Sequence, residues 1–329
     1  MAHLGIVVVG RNEGERLRRC LESVRTAGVP LVYVDSCSRD GSVAWARSLG
    51  LTVIELDGEK PLSAARARNE GFEWLLGQHP DLEFVQFIDG DCELVPGWLA
   101  VGAEQLLAKV ELGAVCGHVR ERDPHASIYN LMCNLEWQRE PGTIRACGGN
   151  FMSRVEAFRT VGGFRADVMA AEDDELCLRL RRAGFEIQAL AADMVRHDAA
   201  LMHFGQWWTR ARRSGMAYAQ GSALHGSSDD KHFLRNCRSI WFWGLGLPAA
   251  SLLLAPPTLG ASLFGLSGYP ALGLRIYRRG RKRGWSQQEA AVYAFFTVLC
   301  KAPELAGMIE YHYRTRWQHR AVTLIEHKG

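Results

Sequence analysis

No C-x-x-C pair occurs among the nine scattered cysteines of this 329-residue chain. Odd in number and irregularly spaced, they argue against a disulfide framework or a zinc ribbon and suit reduced thiols in a cytosolic compartment. There is no excess of charge either. Lys and Arg total 39 against 36 Asp and Glu, and a net +3 gives no reason to expect a nucleic-acid partner. Neither G-x-G-x-x-G nor G-x-x-x-x-G-K-[ST] follows an expected strand, which excludes the usual dinucleotide and P-loop schemes. Internal repeats and low-complexity tracts are absent. The opening MAHLGIVVVGRNEGE has neither a basic leader nor a long apolar core, so no secretory signal is expected. One stretch, 239–274, lacks charge and histidine for 36 residues.

What is present first is alternation. Apolar runs at Gly5–Gly10, Leu31–Val34, Leu51–Leu56 and Phe84–Ile88 read as buried strands. Between them lie helical patterns: Leu17, Cys20, Leu21 and Val24 fall at i, i+3, i+4, i+7, with Asn12 as the expected cap and Gly28 as the stop. Asp40 is the expected cap of the next helix and Ser63 opens the third. A helix around Leu99–Ala108 and a strand over Gly113–Val119 continue the series. Repeated βα units predict an α/β fold, a mostly parallel sheet flanked by helices. Ligands of such sheets gather beyond the carboxyl ends of the strands, so Gly10-Arg11-Asn12, Asp35 and Asp89-Gly90-Asp91 are expected in one crevice.

The stretch EFVQFIDGDCEL carries the chemistry. Asp89 and Asp91 flank a glycine that adds no side chain between them, so both carboxylates can converge on Mg²⁺ or Mn²⁺, hard cations that accompany substrate phosphates. Read alone, the pair is equally a polar turn after a strand.

VVVGRNEGERLRRCLESV, VDSCSRDGS, ARARNEG and FIDGDCELVPGWL, followed by GGNFMSR…VGGF…EDDELCLRLRRAG, resemble glycosyltransferase family 2 over residues 4–190. The resemblance implies a GT-A fold, a divalent metal, a nucleotide-sugar donor (UDP-sugar first, GDP-sugar as alternative) and hexosyl transfer with inversion. It places Arg11, Asn12 and Glu13 at the nucleotide, with Arg11 standing where the family has Tyr and able to stack on a base through its guanidinium. Asp35 looks like the carboxylate that meets the nucleobase; its other reading is a turn residue. Arg68, with Arg66 second, looks like the cation facing the diphosphate, against a solvated helix arginine. Asp91 is the implied direct metal ligand, with Asp89 beside it for ribose or a metal-bound water.

A second acidic cluster, Glu172-Asp173-Asp174-Glu175, opens a helix, where acids also complement the macrodipole. Inversion needs a base opposite the leaving group, and the family pattern aligns Asp173 with that role, Glu172 or Asp174 being the alternatives. Gly149 and Asn150 of the GGN segment resemble an acceptor-side loop, or are an ordinary turn. His197 falls where relatives supply a metal ligand, or is structural. Trp207, Trp208 and Arg210 lie where relatives close over donor and acceptor, or they anchor a helix in a core or bilayer.

The uncharged run 239–274 would be ~54 Å long as one helix, too long for a hydrocarbon core of about 30 Å. Pro256-Pro257 splits it, and basic residues flank both ends, Arg235 and Arg238 before it and Arg275, Arg278, Arg279, Arg281, Lys282 and Arg283 after it. This predicts a hairpin entering from the cytoplasmic face, with membrane lipid met through 239–300 and Ala290–Cys300 interfacial, too short to span. The domain reading is 1–200 catalytic, 201–238 a helical acceptor-side linker, and 239–329 hairpin, basic cluster and interfacial helices. The function expected is metal-dependent transfer of a sugar to a hydroxyl or lipid-linked acceptor at the cytoplasmic membrane face. A non-catalytic membrane adaptor and a nucleotidyltransferase are the alternatives; GRNEGERL is a poor version of the latter's glycine-rich basic loop.

Overall fold

Six consecutive buried residues make Leu4–Gly10 (β1) a strand covered on both faces, which is why it reads as an unbroken apolar run rather than an alternating one. In the computed structural model, which describes residues 3–317, β1 is followed by α1 (Glu15–Arg25), β2 (Leu31–Asp35), α2 (Ser42–Ser48), β3 (Thr52–Glu55), α3 (Ala64–Gln78), β4 (Phe84–Asp89), β5 (Cys92–Leu94), α4 (Trp98–Ala108) and β6 (Leu112–Glu121). After α5 (Ile128–Glu136) come β7 (Gly142–Thr143), β8 (Phe151–Arg154), α6 (Val155–Thr160), α7 (Glu172–Arg182) and β9 (Glu186–His197). The chain divides into two compact units: residues 3–123 with 137–199, and residues 124–136 with 200–317. The part of the expected 239–329 segment beyond Trp317 lies outside the described residues.

The first unit holds the sheet, in the order β3-β2-β1-β4-β8-β6-β9-β5, with β7 paired to β9. The half β3-β2-β1-β4 is parallel, as the βα alternation requires. Beyond β4 the sheet is mixed, because β8 runs antiparallel to both β4 and β6 while β6 and β9 are parallel. The register sets Gly10 beside Asp35 and Val9 beside Asp89, so the carboxyl ends of β1, β2 and β4 finish at one level.

Leu17, Cys20, Leu21 and Val24 are the buried face of α1, as their spacing predicts. Asn12 does not cap that helix; Gly14 occupies the N-cap position without a side-chain bond. Asn12 adopts a left-handed φ of 52°, which asparagine tolerates better than most residues. Its side chain accepts from the Arg39 N–H (2.8 Å) and its own N–H donates to Ser38 Oγ (2.8 Å), tying the loop after β1 to the loop after β2. Asp40 accepts from the N–H groups of Ser42 (3.1 Å) and Gly14 (2.9 Å), so it braces both helix entries while Gly41 takes the N-cap position of α2. Ser63 caps α3 as expected, accepting from the Arg66 N–H.

The second unit is helical: α5, α8 (Phe204–His225), α9 (Leu234–Trp241), a π-turn at Phe242–Gly246, α10 (Leu247–Leu253), a 3-10 segment at Ala261–Ser267, α11 (Gly268–Lys282), α12 (Gln287–Leu299) and α13 (Lys301–Trp317). Helices α8 and α13 cross at glycines: a Cβ on Gly215 would collide with the Glu304 carbonyl, and one on Gly307 with that of Arg212. Residues 242–269 form a hairpin whose legs are tied by Ser262 Oγ donating to the Ser251 carbonyl (2.7 Å) and by Tyr269 donating to that of Trp243. Its tip is bare, with Leu253 77% exposed, Leu259 98% and Phe264 81%. The segment Ala290–Cys300 does not end where the apolar run ends, since the Glu304 N–H donates to the Cys300 carbonyl and carries the helix on. Gln287–Arg316, 30 residues, is among the described residues one helix long and apolar enough to cross a membrane, by length and composition alone.

Candidate functional site

Arg68 is the residue around which the first unit's crevice is built. It projects from α3, only 2% exposed, and donates through one terminal nitrogen to Asp89 (2.6 Å) and through the other to Glu172 (2.6 Å). One guanidinium thus joins the end of β4 to the start of α7, 104 residues further along the chain from Arg68. Burial works against its charge, but the Asp89 and Glu172 carboxylates outweigh that and raise its pKa. Its Nε is buried without a hydrogen-bond partner. The sequence reading had this arginine facing a diphosphate; in the structure both terminal nitrogens are committed to carboxylates, since an acid on each side outcompetes solvent for them.

The GGN segment fills the space beside this bridge. A Cβ on Gly149 would lie 2.6 Å from Asp89 Oδ2 and 2.7 Å from the Arg68 nitrogen, so glycine is required there. Gly148 has φ 86° and its Cβ position is 3.8 Å from Asp173 Oδ2. Asn150 closes the arrangement, accepting from the Asp89 N–H (2.9 Å) and donating to Asp89 Oδ2 (3.3 Å). The two acidic clusters therefore face one small volume.

On α7, burial, then the charges of Asp174 and Glu172, push the Asp173 carboxyl up to about 8, despite the opposing charge of Arg68. Burial likewise raises Asp174, against Arg139 and Arg181. A carboxyl poised near neutral pH can take a proton from a hydroxyl. Glu172, offered as an alternative base, is instead engaged by Arg68.

Asp91 and His197 converge next to this volume, with Nε2 of the ring 3.6 Å from Asp91 Oδ1. Together with Cys92 they present ligand atoms all within 4.8 Å of one another, a nitrogen, an oxygen and a sulfur, and this donor set fits a divalent cation. Asp89, paired with Asp91 in the sequence reading, is not in the cluster, because Arg68 and Asn150 hold its oxygens. The other ring nitrogen of His197 is 3.3 Å from Glu121 Oε2, and Trp137 packs edge-on at 4.3 Å. Burial would lower the His197 pKa, but the Asp91 charge and the Glu121 contact prevail and raise it.

The remaining expected contacts divide. Arg11 is half-buried with one terminal nitrogen lacking a partner, and Glu13 is buried and paired with Arg16 (2.8 Å). Asp35 is fully buried rather than open to a base: Tyr33 donates to one oxygen (2.6 Å) and the Ser38 N–H to the other (2.7 Å). Arg66 is spent locally on Glu70 and the Asp57 carbonyl. In the second unit Trp207 is 3% exposed and packs against Tyr129, Phe204 and Phe296, so of the two readings it is the core anchor, not a sugar platform. Trp208 lies against Phe204, and Arg210 pairs with Glu136 (2.8 Å). Sequence reasoning missed Cys92, Glu121 and Trp137. Cys92 had a signal, adjacency to Asp91; Glu121 and Trp137 had none, since only strand pairing and loop packing bring them to His197.

Residues 5–162 match the family described as Glycosyl transferase family 2, and residues 125–203 match that described as N-terminal domain of galactosyltransferase. The match to glycosyltransferase family 2 thus takes in just under half of the chain. Among curated relatives, the Pre-mycofactocin glycosyltransferase of Mycobacterium tuberculosis is 30% identical over 212 residues, 59% of this chain and 42% of that protein. Succinoglycan biosynthesis protein ExoA of Rhizobium meliloti is 28% identical over 204 residues, 55% of this chain and 59% of that protein. The chain thus spans about half the length of the curated relatives it matches. Among solved structures, mannosyltransferase PcManGT from Pyrobaculum calidifontis, in complex with GDP-Man and Mn²⁺, superposes with TM-score 0.59 at 16% identity, over 97% of this chain and 88% of that one. The 1–349 portion of S. aureus TarS, in complex with UDP, gives 0.50 at 14% identity, over 96% and 92%. At these identities the likeness shows the GT-A fold.

Proposed function

We propose that this chain is an inverting, divalent-cation-dependent glycosyltransferase that moves a sugar from a nucleoside diphosphate sugar to a hydroxyl or lipid-linked acceptor. The observation that carries the reading is the Arg68 bridge. It holds the Asp89 end of β4 against the Glu172-Asp173 start of α7, so donor-side and acceptor-side acids share one volume. Asp91 and His197 would hold the divalent cation, which supplies positive charge where the departing diphosphate gains negative charge. Asp173 accepts the acceptor's proton as its oxygen attacks the anomeric carbon from the face opposite the leaving group. Arg11, its guanidinium only partly satisfied, is the residue after β1 best placed to meet the nucleotide. The ligands of structural neighbours, GDP-Man with Mn²⁺ in PcManGT and UDP in TarS, support a nucleotide donor.

We place the enzyme at the cytoplasmic face of a membrane. In support, the hairpin tip carries exposed Leu253, Leu259 and Phe264, and six basic residues follow it between Arg275 and Arg283. Bare apolar side chains beside a basic cluster suit an anionic bilayer surface.

Calorimetry with UDP or GDP in the presence of Mn²⁺, together with a transfer assay, tests the catalytic reading. Wild type binds one of the nucleotides; Asp91→Asn loses cation-dependent binding. Asp173→Asn binds but does not transfer. A wild-type rate of transfer by Asp173→Asn overturns the assignment of the base.

A further inference from the structure

The geometry points to Cys92 as a third ligand of the cation site, beside Asp91 and His197, with Glu121 as the positioning residue for the ring, so that the site selects zinc, cobalt or cadmium over magnesium. The inference rests on the cation site proposed above and specifies its chemistry.

Strand register is the first support. Cys92 of β5 lies directly opposite His197 of β9, and His197 lies directly opposite Glu121 of β6. Directly paired residues on neighbouring strands stand side by side on one face of the sheet. Glu121, His197 and Cys92 therefore form a row across three adjacent strands, in the order carboxylate, imidazole, thiol. The second support is the orientation of the ring. Glu121 sits at Nδ1 (3.3 Å), which directs Nε2 toward Asp91 (3.6 Å). A carboxylate behind a histidine in this way fixes the tautomer that a metal requires. Glu121 is itself anchored by the Ala199 N–H, 3.2 Å from one oxygen and 3.3 Å from the other.

The sulfur is the third support. Cys92 Sγ is 3.5 Å from Asp91 Oδ1 and receives an N–H from Asn150 at 3.4 Å. Cys20 makes a useful contrast: equally buried, it points at the Asp89 carbonyl (3.6 Å) and is not among the convergent ligand atoms. Binding forms a metal–sulfur bond and releases the thiol proton to solvent, with no change of oxidation state. A mixed nitrogen, oxygen and sulfur set favours borderline and soft ions, whereas magnesium prefers oxygen alone.

The test is titration of the metal-free full chain with Co²⁺, under reductant that does not bind metal, followed by absorption. Wild type is expected to develop visible cobalt bands and a near-ultraviolet sulfur-to-cobalt band, both removed by a stoichiometric amount of Zn²⁺ and neither by an excess of Mg²⁺. In Cys92→Ser, and in Cys92→Ala as a second variant with near-ultraviolet circular dichroism checking the fold, the sulfur band disappears while His197-dependent cobalt binding persists. Glu121→Gln keeps the sulfur band and weakens binding about 10–100-fold. Cobalt binding without a sulfur band, or a band that survives in both Cys92 variants, overturns the Cys92 assignment and leaves the cation site standing. No cobalt or manganese binding at all overturns both.

Discussion

Replacing Asp173 by Asn should make the metal-free protein more stable while abolishing transfer. The carboxyl rises from its ordinary 3.8 to about 8 because burial and the charges of Asp174 and Glu172 penalise its ionised form. Below about pH 4 both folded and unfolded chains hold the proton, and the site costs nothing. As pH rises from about 4 to about 8, the unfolded chain releases a proton that the folded one keeps, so stability falls through that window and levels off above it. Full burial would make the loss about 5–6 kcal/mol. The side chain retains some solvent exposure, and screening brings the expected loss to about 2–3 kcal/mol. Asn cannot ionise and escapes it. Urea unfolding of both proteins in chelator at pH 5, 7 and 9 should show the variant gaining over wild type as pH rises, with the largest gap at pH 9. A gap that is constant with pH, or one that closes toward pH 9, refutes the claim that Asp173 is held protonated by its surroundings.

Arg68→Met keeps the volume but leaves Asp89 and Glu172 facing each other without their cation, and should cost about 3–5 kcal/mol by urea unfolding at pH 8. Gly149→Ala drives a methyl onto Asp89 and Arg68 and should cost about 1–3 kcal/mol, with a larger proportional loss of turnover than of nucleotide affinity. Leu259→Glu with Phe264→Glu alters side chains already in solvent, so the unfolding free energy should stay within about 0.5 kcal/mol of wild type. The same pair should sharply reduce sedimentation with anionic vesicles; undiminished sedimentation would remove the hairpin from the membrane reading.

The parallel half of the sheet was legible because buried βα units write themselves as apolar runs separated by helical spacing, as in Ile6–Val9 and Leu17–Val24. The mixed half was not. β8 and β9 are locally indistinguishable from parallel strands, and only long-range pairing decides their direction. Asp91 could be named from its pairing with Asp89 at a strand end, Asp173 and His197 only from the resemblance to the family. What those residues touch could not. Arg68 looked like a phosphate ligand because its sequence context carries no trace of Glu172, 104 positions away. Asp35 looked open because a turn motif does not reveal that Tyr33, two residues earlier, closes over it. Trp207 and Trp208 read alike, yet burial separates them: helical rotation points one into the core between Tyr129 and Phe296 and leaves the other at its edge.

The three-residue clasp of Asp89, Arg68 and Glu172 also constrains how this protein can diverge. Neutralising either acid strands part of a sealed guanidinium, and losing the arginine strands two acids, so each single step is costly while a concerted replacement need not be. Lineages that abandon the clasp are expected to have exchanged all three positions together, and a chain carrying two of the three would mark a path caught midway.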